Sequence, residues 1–567
     1  MKRRLLVVIM AIAVGAELLA VAKDGNNQKK SETINSSIDA AIIDASTSIL
    51  KFSPLGDDSA GVTGYKEENP TSIDIPSKVK IYGKVYKVTS IGDYAFRDCS
   101  SLTSIKIPEG VTSIGHWAFR GCSSLTSIMI PKGVTSIGYW AFKGCRSLTS
   151  ITISESVTSI GDCAFDGCDE LPPHLLVYDN GTKCYGWVGD KSKCTDVTIP
   201  KGVTSIGGWA FEGCSSLKNI NIPEEVMSIG DWAFGFCSSL KNINIPEGVT
   251  RIGHGTFFRC GELPPHLLVY DKGTKCYGWV GDISKCIEVT ISKGVTNISF
   301  GAFRDCSSLK NINIPEGVTS IGDWTFEGCS SLTSITIPES VMSIGDKAFD
   351  GCSSLKSIKI PENVTRIGKE AFVDCSSLKS IKIPKRVTSI GENAFDGCSS
   401  LTSITIPEGV TSIGDNAFEG CRSLKSINIP EGVTSIGFAT FSKCSSLKSI
   451  KIPEGVTSIG AWAFEDCSSL KSINIPEGVT SIRYRAFEGC SSLKNIKIPE
   501  SVTRIGNRAF GFCSSLKNIK IPKGVTSIGD EAFVFCKNLD VVIDNKEQNV
   551  KIEYGAFNDC KSVKFLK

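Results

Sequence analysis

One 23-residue phrase repeats along most of this chain, and it constrains the fold more than any other feature. Leu401-Thr-Ser-Ile-Thr-Ile-Pro-Glu-Gly-Val-Thr-Ser-Ile-Gly-Asp-Asn-Ala-Phe-Glu-Gly-Cys-Arg-Ser is followed at Leu424 by the same phrase again. Prolines recur every 23 residues from Pro315 to Pro522, and the phase extends back through Ser292, Pro246, Pro223, Pro200, Ser154 and Pro131 to Pro108. Nineteen units carry Ala-Phe-x-x-Cys or Thr-Phe-x-x-Cys, from Ala95 to Cys560. A length of 567 residues would ordinarily suggest about four domains. A repeat this short cannot bury a core alone, so the units must stack, each covering its neighbour.

The unit can be read residue by residue. Leu-x-x-Ile-x-Ile alternates with period two, which predicts a short strand with Ile404 and Ile406 inward and Ser403 and Thr405 outward. Proline has no N–H and ends the ladder. Pro-Glu-Gly suits a type I turn with proline at its second position. Val410, Ile413, Ala417, Phe418 and Cys421 complete the inward set, and Gly414 is expected to free the backbone between them. Parallel strands stack about 4.8 Å apart, so about 21 coils would extend on the order of 100 Å.

Two units depart from the phrase. Residues 170–194 and 262–286 are near-copies that lack Phe-x-x-Cys, yet each replaces one repeat without loss of phase. Leu175–Tyr178, then Asp179-Asn180-Gly181, then Thr182–Val188 predicts a hairpin. The further division expected is a signal peptide at 1–22, a polar linker at 23–39, an N-terminal cap at 40–90, the solenoid at 91–539 and a C-terminal cap at 540–567. The first segment has a basic start (Lys2, Arg3, Arg4), an apolar run and an A-x-A end at Ala22. No later stretch has the ~20 apolar residues needed to span a bilayer.

The phrase I-x-I-P-x-x-V-x-S-I-G-x-x-A-F-x-x-C-x-x-L resembles the BspA-like leucine-rich repeats, also called the Treponema pallidum type, over about residues 70–560. The resemblance implies an α/β-type repeat solenoid. That is a right-handed leucine-rich-repeat coil with one long parallel β-sheet, mostly strand and loop with short helical turns. Proline occupies the position held by asparagine in most other leucine-rich repeats, so no asparagine ladder is expected. The resemblance also implies a secreted or cell-surface protein engaged in adhesion.

The 24 cysteines are ambiguous by number alone. Nineteen fall in one column and are expected to be buried thiols acting as small hydrophobes. Metal-ligand spacing is missing, and four histidines leave little material for it. Cys184 and Cys194, like Cys276 and Cys286, lie within one insert and outside that column. A local disulfide within each pair is left open. Cys163 has no counterpart in other repeats.

Two surface stripes are candidate binding sites. One is basic. Two residues before proline stand Lys359, Lys382, Lys451, Lys497 and Lys520, and five before proline in the same units stand Lys356, Lys379, Lys448, Lys494 and Lys517. The other is aromatic, with Trp117, Trp140, Trp209, Trp232, Trp324 and Trp462 just before Ala-Phe or Thr-Phe. Either stripe could equally be a solvated or self-stacked surface. A formal charge of +3 argues against a nucleic-acid partner. Neither G-x-S-x-G, nor a phosphate-binding loop, nor H-E-x-x-H occurs. The expectation is therefore a monomeric, non-enzymatic protein without cofactor or metal. It would bind a host matrix or surface protein or an acidic glycan, and the alternative is a spacer protein with no specific ligand.

Overall fold

The computed structural model describes residues 42–66, 70–270 and 272–566. The expected signal peptide and linker lie outside the described residues. The unit Ile42–Lys567 is a β-solenoid of about 21 turns.

A regular coil has three sides. Ser403–Thr405 forms the first, with Ile404 buried and its neighbours exposed, and it pairs in parallel and in register with Ser380–Lys382. Ser412–Ile413 forms the second and pairs with Ser389–Ile390 in a separate ladder. A single sheet was expected; the second ladder is built from two-residue strands. The third side is a chain of turns held by backbone bonds. The N–H groups of Asn416, Phe418 and Gly420 donate to the carbonyls of Phe438, Thr440 and Ser442 in the next coil (2.8–3.0 Å). The turn after the first strand also differs from expectation. Val410 N–H bonds the carbonyl of Pro407 (3.1 Å), so proline takes the first turn position rather than the second. Among the described residues, helix is confined to single 3₁₀ turns such as Lys191–Lys193 and Ile283–Lys285.

The third side requires left-handed backbone at two positions per coil. One is the residue before Ala-Phe, from Tyr94 to Glu531, and the other is the residue before the column cysteine. The first column holds Trp, Tyr, Cys, Lys, Glu, Asn, Ala, Arg and Gly, but no Val, Ile or Thr. A branched Cβ fits the left-handed region worst, so the backbone filters this column by shape rather than by polarity. Cys163 (φ 55°) belongs here, between Trp140 and Trp209, which accounts for its lack of a partner in the thiol column. Gly414 does not have positive φ. A Cβ on it would lie 2.5 Å from the amide nitrogen of Glu392, so glycine is needed for close approach of successive coils.

Leu401, Ile404, Ile406, Val410, Ile413, Ala417, Phe418 and Cys421 are all buried, and the same eight positions repeat. Phenylalanines stack along the axis, as Phe372 on Phe395 at 5.4 Å and 2°. Among the described residues the core nevertheless divides into three clusters, and the breaks fall at the two inserts. Each insert is the expected hairpin, His174–Tyr178 against Lys183–Val188 and His266–Tyr270 against Lys275–Val280. Leu176 and Val188 pack back on the preceding cluster, whereas Cys184 and Cys194 join the following one. An insert thus closes one stack and seeds the next.

At the N-terminal end, antiparallel Lys78–Ile81 and Lys84–Ile91 account for the nine extra residues between Pro76 and Pro108. They turn at Tyr82 and Gly83, both with positive φ. Leu50–Pro54 and Ser59–Tyr65 form a second hairpin beside them. At the other end, Asp540–Ile543 and Ser562–Phe565 continue the first ladder in parallel.

Candidate ligand-binding face

The first strand side carries both lysine columns, and the structure treats them differently. Lys359, Lys382, Lys451 and Lys497 reach Glu339, Glu362, Glu431 and Glu477 at 2.6–2.8 Å, each acid standing just after the proline of the preceding coil. Lys520 reaches Asp544 at 2.7 Å in the next coil. These partners hold the ammonium groups of Lys359, Lys451, Lys497 and Lys520 above their ordinary pKa. This half of the basic stripe is neutralised in place. The pairs are exposed, so they add little stability.

The other column has no such partners. Lys356, Lys379, Lys448, Lys494 and Lys517 are exposed, and none has an ion pair among the described residues. Lys425 and Lys471 belong to the same column and were missed because their coils carry Asn428 and Asn474 in place of the second lysine. With them, Lys425, Lys448, Lys471, Lys494 and Lys517 stand in five consecutive coils. Their backbones are joined by N–H to carbonyl bonds of 3.1–3.5 Å.

The tryptophans are half-buried rather than exposed, because each leans on an aromatic neighbour. Tyr94 stacks on Trp117 at 4.8 Å, and Trp117 on Trp140 at 5.3 Å. Trp140 and Trp209 meet at 5.7 Å although Cys163 and the first insert lie between them in sequence. Trp232 packs on Phe236 and Phe258, Trp324 on Phe300, and Trp462 on Phe438 and Tyr484. The stripe is four separate aromatic stacks, closed largely upon themselves.

With the fold and its faces described, comparison with known proteins places the chain. The model of the BspA type leucine rich repeat region matches in six copies, over residues 89–175, 189–266, 281–380, 365–491 and 434–564. The chain belongs to the BspA-type leucine-rich repeat family. Among solved structures, this BspA-type protein is similar to a leucine-rich repeat protein from Bacteroides ovatus ATCC 8483. The two are 27% identical, over 89% of this chain and 98% of that one, with a TM-score of 0.43. It is also similar to a leucine rich cell surface protein from Faecalibacterium prausnitzii A2-165, at 32% identity over 71% of this chain and 92% of that one, TM-score 0.31. The T. pallidum leucine rich repeat protein matches at 26% identity over 44% of this chain and 87% of that one, TM-score 0.23. No match was found among curated proteins.

In this BspA-type solenoid all 24 cysteines are free, so neither insert pair is bridged. The pairing fails because the two members serve different columns. Cys184 and Cys276 pair with Ile206 and Ile298 in the second strand ladder. Cys194 and Cys286 continue the thiol column, buried in the same cores as Cys214 and Cys306. Burial pushes Cys163, Cys184 and Cys276 up to about 12 and suppresses thiolate chemistry. Beside each insert is a small cleft, about 30 and 40 Å³, lined by Cys163, Tyr185, Trp187 and Lys191 in the first and by Arg259, Tyr277, Trp279 and Arg304 in the second. Each is about the size of one or two waters rather than of an organic ligand. Among the described residues no helix is long and apolar enough to cross a membrane.

Proposed function

We propose that this BspA-type protein is a non-enzymatic, secreted or surface-displayed binding protein that mediates adhesion to a host matrix or surface protein or to an acidic glycan. The observation that carries the reading is the first strand face. Its outward positions are exposed coil after coil while the inward positions are filled with apolar side chains, so contacts can only be made along the outside. Such a face suits many weak contacts in series. Export rests on the basic start and apolar run of residues 1–22, and adhesion on the family. The test is to screen the chain lacking residues 1–22 against matrix proteins, glycans and whole cells. Saturable binding to one class supports the reading, and failure to bind any of them defeats it. A second reading, a spacer without ligand, is favoured by the lysine–glutamate pairs and the self-stacked tryptophans, which leave those groups already occupied. Surface display of full-length and coil-deleted chains separates the two, because a spacer requires only length.

A further inference from the structure

We infer that Lys425, Lys448, Lys471, Lys494 and Lys517 form a track for a linear acidic polysaccharide, with one coil meeting one sugar. This rests on the binding-protein reading above and names the ligand class and the place.

The argument begins with charge. Like charges directly opposite on neighbouring strands are destabilising. Elsewhere on this face two devices keep such runs short. In the sister column every lysine from Lys359 to Lys520 is held by a carboxylate. In the same column earlier in the chain, lysines stand in no more than two successive coils, as Lys356 and Lys379 do between Thr333 and Thr402. Between Lys425 and Lys517 neither device is used. From the column cysteine to the proline, none of these five coils contains Asp or Glu. The run is bounded by Thr402 on one side and on the other by Asp540, whose carboxylate is already held by Lys561 at 2.8 Å. One carboxylate in place of Ser or Asn would relieve the repulsion. Its omission in five successive coils leaves an external anion as the partner that completes the row.

The spacing and the flanks select the kind of anion. Five coils at about 4.8 Å span roughly 19 Å from first to last. That step is close to the advance of one pyranose in an extended chain. Ser426, Ser449, Ser472, Asn495 and Asn518 follow the five lysines directly and are exposed, supplying neutral hydrogen-bonding groups beside each charge. Single-stranded nucleic acid would call for aromatic or arginine platforms between the charges; the row from the lysine to the proline holds neither. A membrane surface would call for apolar side chains beside the lysines, and the flanks are Ser and Asn.

The test uses the chain lacking residues 1–22 and size-defined heparin oligosaccharides, by calorimetry at several salt concentrations. Affinity should rise with oligosaccharide length up to about four to six sugars and then level off, since the track ends at Thr402 and Asp540. The variant K448Q/K471Q/K494Q, exposed throughout, should bind at least about tenfold more weakly, with the slope of log affinity against log salt reduced by about two to three. K78Q/K84Q/K87Q in the N-terminal hairpin makes the same charge change elsewhere and should bind as wild type within about twofold. The inference is overturned if the track variant binds like wild type or if the hairpin variant loses as much. It is also overturned if single-stranded DNA or poly-glutamate binds through the same lysines as tightly as heparin. If the track variant leaves heparin binding unchanged while matrix or cell binding persists, the track fails and the binding-protein reading stands. If the wild type binds neither, both fail.

Discussion

The thiol of Cys398 donates to the carbonyl oxygen of Phe372, 3.2 Å away in the preceding coil. That carbonyl also accepts the N–H of Cys375 at 3.3 Å, so both lone pairs of a buried oxygen are satisfied. The same bond recurs from Cys122 on Phe96 to Cys536 on Phe510. It explains why the column is cysteine rather than alanine: the side chain is small and apolar, yet carries a donor. Cys398→Ala should therefore destabilise the third core cluster by about 1–3 kcal/mol, combining the lost bond with the void left by sulfur. The shift in urea midpoint measures it. A loss below about 0.5 kcal/mol would show the bond to be worth nothing.

The left-handed column makes a separate prediction. Asn393 sits at φ 52° and its main chain carries the ladder to Asp415. Asn393→Val should cost about 1–2 kcal/mol, because a branched Cβ is strained there. Asn393→Gly should stay within about 0.5 kcal/mol of wild type, since relief of strain offsets the added chain entropy. Equal effects of the two substitutions, measured in the same urea titration, would remove backbone shape as the reason for the column's composition.

How much of this was legible depends on where each signal sits relative to the period. Ile404, Phe418 and Cys421 recur at 23 and could be placed inward from the phrase alone. The Ser412–Ile413 ladder was not visible, because two residues carry no alternation. Cys194 stands 20 residues before Cys214 rather than 23, so a fixed-period reading left it outside the thiol column it joins. The partner of Lys359 is likewise 20 residues back, at Glu339, reached across coils where a linear reading sees only an acid after a proline. Cys163 could be placed only once the backbone angle of its column was known.

The inserts should behave as joints between independently packed stacks. Gly186 has φ 105°, and a Cβ on it would lie 1.7 Å from the carbonyl oxygen of Ala210. That same oxygen accepts the N–H of Trp187 at 2.9 Å, which ties the hairpin to the next coil. Gly186→Ala should speed hydrogen exchange at the Trp187 amide by about a hundredfold or more while leaving amides beyond Cys286 unchanged. Gly181→Ala, at a hairpin tip with nothing within 4 Å, has only its positive φ to accommodate and should leave the Trp187 amide protected. Uniform acceleration along the whole chain in the Gly186 variant would show a single cooperative unit instead.

Acid should stabilise the third stack. Asp350 and Asp396 lie two before their column cysteines, and burial is the main reason both are pushed up to about 6. Glu327, Glu370 and Asp374 add to the rise at Asp350, and Glu419 and Asp374 at Asp396; Lys347 and Lys443 oppose it. The folded state therefore binds more protons than the unfolded chain between about pH 4 and 6, so stability falls as pH rises through that window. Above it, both carboxylates are charged and the penalty is fully present. The melting temperature should rise as pH is lowered from 7.5 to 5, by an amount reduced by solvent screening because both groups are only half-buried. Asp350→Asn with Asp396→Asn should raise the melting temperature at pH 7.5 and flatten the rise. A double variant that keeps the wild-type pH profile would place the proton uptake elsewhere.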